Sequence, residues 1–117
     1  MSLKTVIYHN PSCSKSRQTL ALLQGQGITP SIVEYLREGI DAKSLEEIVD
    51  MLGADASVLL RKKEDAYAES GLTETSTAAQ IIVAIVNNPK ILERPIVVHG
   101  DRAALGRPPE NILKILD

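Results

Sequence analysis

The chain has 117 residues, the size of one ordinary domain, and its 44% hydrophobic and 24% charged residues suffice for a core beneath a polar surface. It contains no Phe, no Trp and three Tyr, which argues against a nucleic-acid module built on aromatic base-stacking platforms. Thirteen Lys and Arg against fifteen Asp and Glu give a net charge of −2, so any anion site must come from a local cluster of basic residues.

In chain order, Thr5 to His9 is a short β-branched run closed by Asn10-Pro11, which predicts a first strand entering a turn. Ser14 to Gln24 carries Leu20 and Leu23 on one face and is stopped by Gly25 and Gly27, as a helix. Ser31 to Tyr35 reads as a second strand. Asp41 to Leu52 is the clearest helix: Leu45, Ile48, Val49 and Leu52 follow the i, i+3, i+4, i+7 spacing, Ser44 and Glu47 suit a capping box, and Gly53 ends it. A shorter helix is expected over Ala56 to Lys62, then a polar stretch through Gly71. Ser76 suits the cap of a further helix whose apolar residues are Ala78, Ala79, Ile81, Ile82, Ile85 and Val86, with Pro89 closing it. Pro95 to Val98 reads as a strand, and the Gly100-Asp101 turn leads to a weaker strand near Ala103 to Leu105. Pro108 and Pro109 suit the first turn of a last helix with Ile112, Leu113, Ile115 and Leu116 apolar. The order βαβ, helices, ββα predicts an α/β mixed sheet with helices on its faces. Without repeats, low-complexity stretches or linkers, a single domain over residues 1–117 is expected.

The longest apolar run, Ile81 to Val86, is six residues, far short of the ~20 that span a bilayer. The N-terminus has neither a charged n-region nor an h-region, so no signal peptide and no membrane association are expected. The lone cysteine, Cys13, has no intrachain partner for a disulfide, and a reducing cytoplasm is the expected setting.

The segment Tyr8-His-Asn-Pro-Ser-Cys-Ser-Lys-Ser-Arg17 places Cys13 where a strand ends and a helix begins. Unpaired amides and the positive end of the helix dipole stabilise a thiolate there and make an anion site at the same spot. Lys15 and Arg17 add positive charge, and His9 stands just before the turn as a residue able to tune the thiol. The competing reading makes Cys13 a small apolar filler, for which a polar Pro-Ser-Cys-Ser-Lys-Ser turn is a poor setting. Ser14 and Ser16 fit two roles equally, as donors to the thiolate or as helix caps.

Spacing excludes several sites. The partner position of a Cys-x-x-Cys dithiol is Ser16, the position for a Cys-x5-Arg phosphatase loop is Thr19, and no phosphate-binding Gly-x4-Gly-Lys-Ser/Thr loop exists. His9 and His99 with one cysteine fit no zinc pattern, so no metal site is expected and both read as polar loop or strand-end residues. Arg61, Arg94 and Arg107 each stand at the edge of an apolar element. Apart, they are solvated charges; converged, they would grip a tetrahedral oxyanion by bidentate donation.

At these residues the chain resembles the glutaredoxin-dependent arsenate reductase family. Four ordered blocks carry the likeness: Tyr8 to Leu20, Leu59-Leu-Arg61-Lys62, Asn88 to Val98 with Arg94-Pro95, and Gly106-Arg107-Pro108. The wording from Arg61 to Tyr67 and from Gly106 to Glu110, with an end at Asp117 soon after the last helix, is similar to the family's short branch. The resemblance implies a thioredoxin-like fold with an inserted helical region and a cis Arg94–Pro95 bond. It implies Cys13 as nucleophile and Arg61, Arg94 and Arg107 as oxyanion ligands, while the local reading of the residues offers His9, Ser16 and Arg17 as those tuning the thiolate. It also implies glutathione as co-substrate with no bound cofactor, glutaredoxin as partner, and reduction of arsenate to arsenite through a thiolate–arsenic adduct. Two further functions share the pattern: a monothiol oxidoreductase acting on glutathionylated substrates, supported by Cys13-x-x-Ser16, and a redox-blind relative of the family's regulators that bind RNA polymerase.

Overall fold

A computed structural model describes residues 4–53 and 55–116; the first three residues, part of the stretch read for a signal peptide, lie outside the described residues. In chain order the elements are β1 (Thr5–Tyr8), α1 (Ser14–Gly25), β2 (Ser31–Val33), α2 (Tyr35–Glu38), α3 (Ala42–Leu52), α4 (Asp65–Glu69), α5 (Ala78–Asn87), β3 (Ile96–His99) and β4 (Arg102–Leu105). Short 3₁₀ segments run over Ala56–Leu59, Pro89–Ile91 and Pro109–Ile115. The contacts group the chain into two compact units, one made of residues 1–38 with 94–117 and the other of Gly39–Glu93.

The first unit is built on a four-stranded mixed sheet in the order β2-β1-β3-β4. β1 runs parallel to β2, with Ile7 opposite Ile32, and antiparallel to β3, with Tyr8 opposite Ile96 and Thr5 opposite His99. β3 and β4 form an antiparallel pair that sets Ile96 opposite Leu105. Because side chains alternate along a strand, Ile7, Val97 and Ala104 fall in one row across three strands. That row joins Leu23 of α1 and Ile112 and Ile115 of the last 3₁₀ segment in a buried aliphatic cluster. The second unit is helical and occupies the insertion between α2 and β3. There α5, buried through Ile81, Ile82 and Ile85, packs against α3 and against the two 3₁₀ segments of the same unit.

The mixed sheet with an inserted helical region agrees with the expected α/β class, and several elements differ in extent. The second strand stops at Val33, and Tyr35 opens a short helix in which the Glu34 amide donates to the Glu38 carboxylate at 2.9 Å. The helix expected over Ala56 to Lys62 is a 3₁₀ turn ending at Leu59, with Leu60 extended and bridged to Leu92. The polar stretch expected through Gly71 contains α4, whose Ala66 is buried. The last helix is also 3₁₀: a repeat of three buries Pro109, Ile112 and Ile115 together and leaves Leu113 exposed. α3 is capped by Asp41, which accepts the Ser44 amide at 2.7 Å, in place of the Ser44–Glu47 box. α5 is capped by Thr77, with Ser76 instead bonded back to Thr73.

Candidate active site

β1 carries the chain to His9, whose amide is held by the Val33 carbonyl at 2.8 Å, and the turn Asn10 to Ser12 then delivers Cys13. Two bonds fix that turn locally: Ser12 N–H to the Asn10 side chain and Cys13 N–H to the Asn10 carbonyl, each 3.0 Å. Cys13 is half-buried and is itself the N-cap of α1, a helix of twelve residues. No side chain caps the first turn, and that turn contains no acidic residue. The positive end of α1 therefore falls at Cys13 with no carboxylate of its own first turn to offset it.

Neither serine has the capping role that the sequence allowed. Ser14 is simply the first helical residue. Ser16 is fully buried; its Oγ accepts the Asn10 amide at 3.0 Å and lies 2.6 Å from Nδ1 of His9. His9 is only 6% exposed. Burial pushes its imidazole below the ordinary value near 6.5, Glu34 pulls the other way, and Arg17 adds to the lowering. Arg17 is exposed and donates from its guanidinium to the Pro11 carbonyl at 2.9 Å, bracing the Cys13 turn from outside. His99 is also buried at a strand end, paired with Thr5 Oγ1 at 2.7 Å.

Strand register carries two of the three arginines to this end of the sheet. Arg94-Pro95 directly precedes Ile96, the partner of Tyr8, and Gly106-Arg107 directly follows Leu105, the partner of Ile96. The ladder continues one step further, with Gly106 N–H on the Pro95 carbonyl at 2.9 Å and the Arg107 guanidinium on the Arg94 carbonyl at 3.1 Å. Segments 9–13, 94–95 and 106–107 thus share one edge of the first unit. Arg61 belongs to the second unit, where its amide donates to the Ile91 carbonyl at 2.8 Å and its guanidinium pairs with Glu64 at 3.0 Å. The Arg94–Pro95 peptide is cis, as the resemblance implied, and so is Arg107–Pro108, which nothing in the sequence signalled.

Sequence reasoning missed Thr19 and the reason for Gly106. Thr19 is fully buried in the middle of α1, with its hydroxyl donating to the Lys15 carbonyl at 2.8 Å. A Cβ on Gly106 would collide with the Thr19 side chain and stand 2.7 Å from Cγ of Pro95. The only signal was a glycine beside the Arg107 block, and its partner lies 87 residues away in sequence. Among the described residues no group of three or more His, Cys, Asp or Glu gathers as metal ligands, and no helix is long and apolar enough to cross a membrane.

The chain is 46% identical to the uncharacterised protein YfgD of Escherichia coli (strain K12), over 99% of each chain. It is 42% identical to the arsenate reductase of Haemophilus influenzae, over 97% of this chain and 100% of that one. Among solved structures it superposes on an arsenate reductase from Vibrio cholerae with a TM-score of 0.93, at 42% identity over 99% of this chain and 100% of that one. With residues 8–115 matching the ArsC family and the thioredoxin-like sheet shared with these neighbours, the chain belongs to the ArsC family.

Proposed function

We propose that this protein is an arsenate reductase whose reaction is carried by Cys13. The supporting observation is the single thiol at the uncapped N-terminus of α1, on the sheet edge shared with Arg94 and Arg107. A thiolate there is a nucleophile already seated in an anion-favouring field.

The Cys13 thiolate attacks arsenic(V), an oxygen leaves as water after protonation, and a sulfur–arsenic(V) bond forms. Glutathione then adds its sulfur to arsenic. Two electrons pass from the two sulfurs to the metalloid, releasing arsenite and leaving Cys13 in a disulfide with glutathione. A thiol of glutaredoxin takes that glutathione and restores Cys13. Through the first three stages, one arsenate and two thiols become one arsenite, one disulfide and one water. With Cys13 as the lone cysteine, the second sulfur has to come from outside.

Arg94 and Arg107 are proposed to hold the oxyanion through planar, charge-assisted donation. His9, Ser16 and Arg17 are proposed to act indirectly, by fixing the turn that presents the sulfur. Dependence on glutathione and glutaredoxin places the reaction in a reducing compartment such as the cytoplasm.

Arsenate-dependent NADPH oxidation, coupled through glutathione, glutaredoxin and glutathione reductase, tests this reading. Wild type is expected to turn over only when arsenate, glutathione and glutaredoxin are all present. Cys13→Ser is expected to lose at least about 10³-fold in rate while remaining folded by circular dichroism. Undiminished turnover by Cys13→Ser would refute it.

A further inference from the structure

Gly106 lacks a side chain for reasons of space. It is not among the glycines with positive φ, so its backbone conformation is one that other residues adopt. A Cβ at this position would meet three atoms at once: Oγ1 of Thr19 most closely, Cγ of Pro95 at 2.7 Å and Cγ2 of Thr19 at 3.0 Å. Thr19 has little room to yield. It is fully buried, β-branched within a helix, and tied by its hydroxyl to the Lys15 carbonyl. On the other side, Gly106 is held by its amide to Pro95, and Arg107 is held to the Arg94 carbonyl.

The contact therefore joins two rigid bodies. One is α1, which begins at Cys13 and reaches Thr19 within its second turn. The other is the hydrogen-bonded strand end carrying Arg94 and Arg107. We infer that Gly106 and Thr19 are positioning residues: the bare backbone of Gly106 against Thr19 sets the distance from the Cys13 end of α1 to Arg94 and Arg107. Neither residue needs to touch substrate. The inference rests on the proposed oxyanion role of those arginines, and it deepens that role by naming what sets the spacing.

The probe is arsenate, and the readout is protection of Cys13 from iodoacetamide, measured by mass spectrometry. Each variant is normalised to its own alkylation rate without arsenate. For Gly106→Ala, the arsenate concentration giving half-protection is expected to rise about ten-fold or more, since sub-ångström to ångström misplacement of binding groups carries losses of that order. Adding Thr19→Ala removes both Thr19 atoms that the new methyl group meets and leaves only Pro95 Cγ, so the double variant is expected to recover part of the lost protection. Gly106→Ala with a lowered melting temperature but wild-type half-protection would overturn the inference, because the glycine would then serve stability alone. Failure of the double variant to restore protection, for any cause including misfolding, would overturn it as well. Absence of protection in wild type itself would instead remove the oxyanion reading on which the inference stands.

Discussion

His9 shows how one buried residue couples the candidate site to the fold. Its imidazole is shielded, and Nδ1 meets Ser16 Oγ at 2.6 Å. In the unfolded chain the ring takes a proton near 6.5; in the folded protein burial lowers that value, against Glu34 and with Arg17. The unfolded state therefore binds more protons in the window between the lowered value and 6.5, and stability rises with pH across it. Above about pH 6.5 the contribution is complete and flat; as pH falls below that point it is progressively lost. Urea midpoints measured between about pH 5 and 7 are expected to decline on the acid side, and His9→Asn is expected to flatten that decline. An unchanged slope in His9→Asn would assign the pH dependence elsewhere. The carboxyls of Asp41 and Asp55, each lowered by bonds from nearby amides, act in a separate and more acidic window. Cys13 was legible in the sequence because its neighbours signal a helix start. The Ser16–His9 bond was not, because a serine at the third helical position gives no sign of turning back to a residue seven positions earlier, beyond the end of β1.

At the scale of elements, boundaries follow caps more than apolar periodicity. Thr77 and Gln80 form a reciprocal box, with Gln80 N–H on Thr77 Oγ1 at 3.2 Å and Thr77 N–H on Gln80 Oε1 at 2.8 Å. Thr77→Ala is expected to cost about 1 kcal/mol by removing an acceptor from the first turn of α5. Denaturant unfolding of that variant beside Ser76→Ala decides between the two hydroxyls, and a larger loss at Ser76 would contradict the assignment. Sequence periodicity located α3 well, since Leu45 and Ile48 are buried and Gly53 ends it with φ 62°. It did less well on α1, where the most buried positions are Ser16, Thr19 and Leu23. Two of these are small and polar, so a search for apolar spacing passes over them, although Ser16 accepts the Asn10 amide and Thr19 packs against Gly106. Two of the 3₁₀ segments, Ala56–Leu59 and Pro109–Ile115, fall where the sequence predicts helices, for a related reason. Ala56 with Leu59, and Ile112 with Ile115, are spaced by three, and over one turn that spacing suits either helix.

At the scale of the whole molecule, the order of elements was legible and the pairing was not. β1 finds its antiparallel partner more than ninety residues away, Thr5 opposite His99, across the entire inserted helical unit. Local propensity carries no information about such a contact, so the convergence of segments 9–13, 94–95 and 106–107 on one sheet edge is a product of topology. The resemblance to a family supplied Arg94 and Arg107, and register gives their placement beside the Cys13 turn a physical cause. Arg61 follows a different route: its unit holds it through Ile91 and Glu64, so its part in the site is decided by its own substitution. The central claim is that arsenic leaves Cys13 by way of a disulfide with glutathione. Its most direct measurement is mass spectrometry of the protein quenched after mixing with arsenate and glutathione. One glutathione is expected on the peptide containing Cys13, formed only when arsenate is present and discharged by glutaredoxin. Equal labelling of Cys13 without arsenate, or arsenite released with Cys13 never modified, would contradict it.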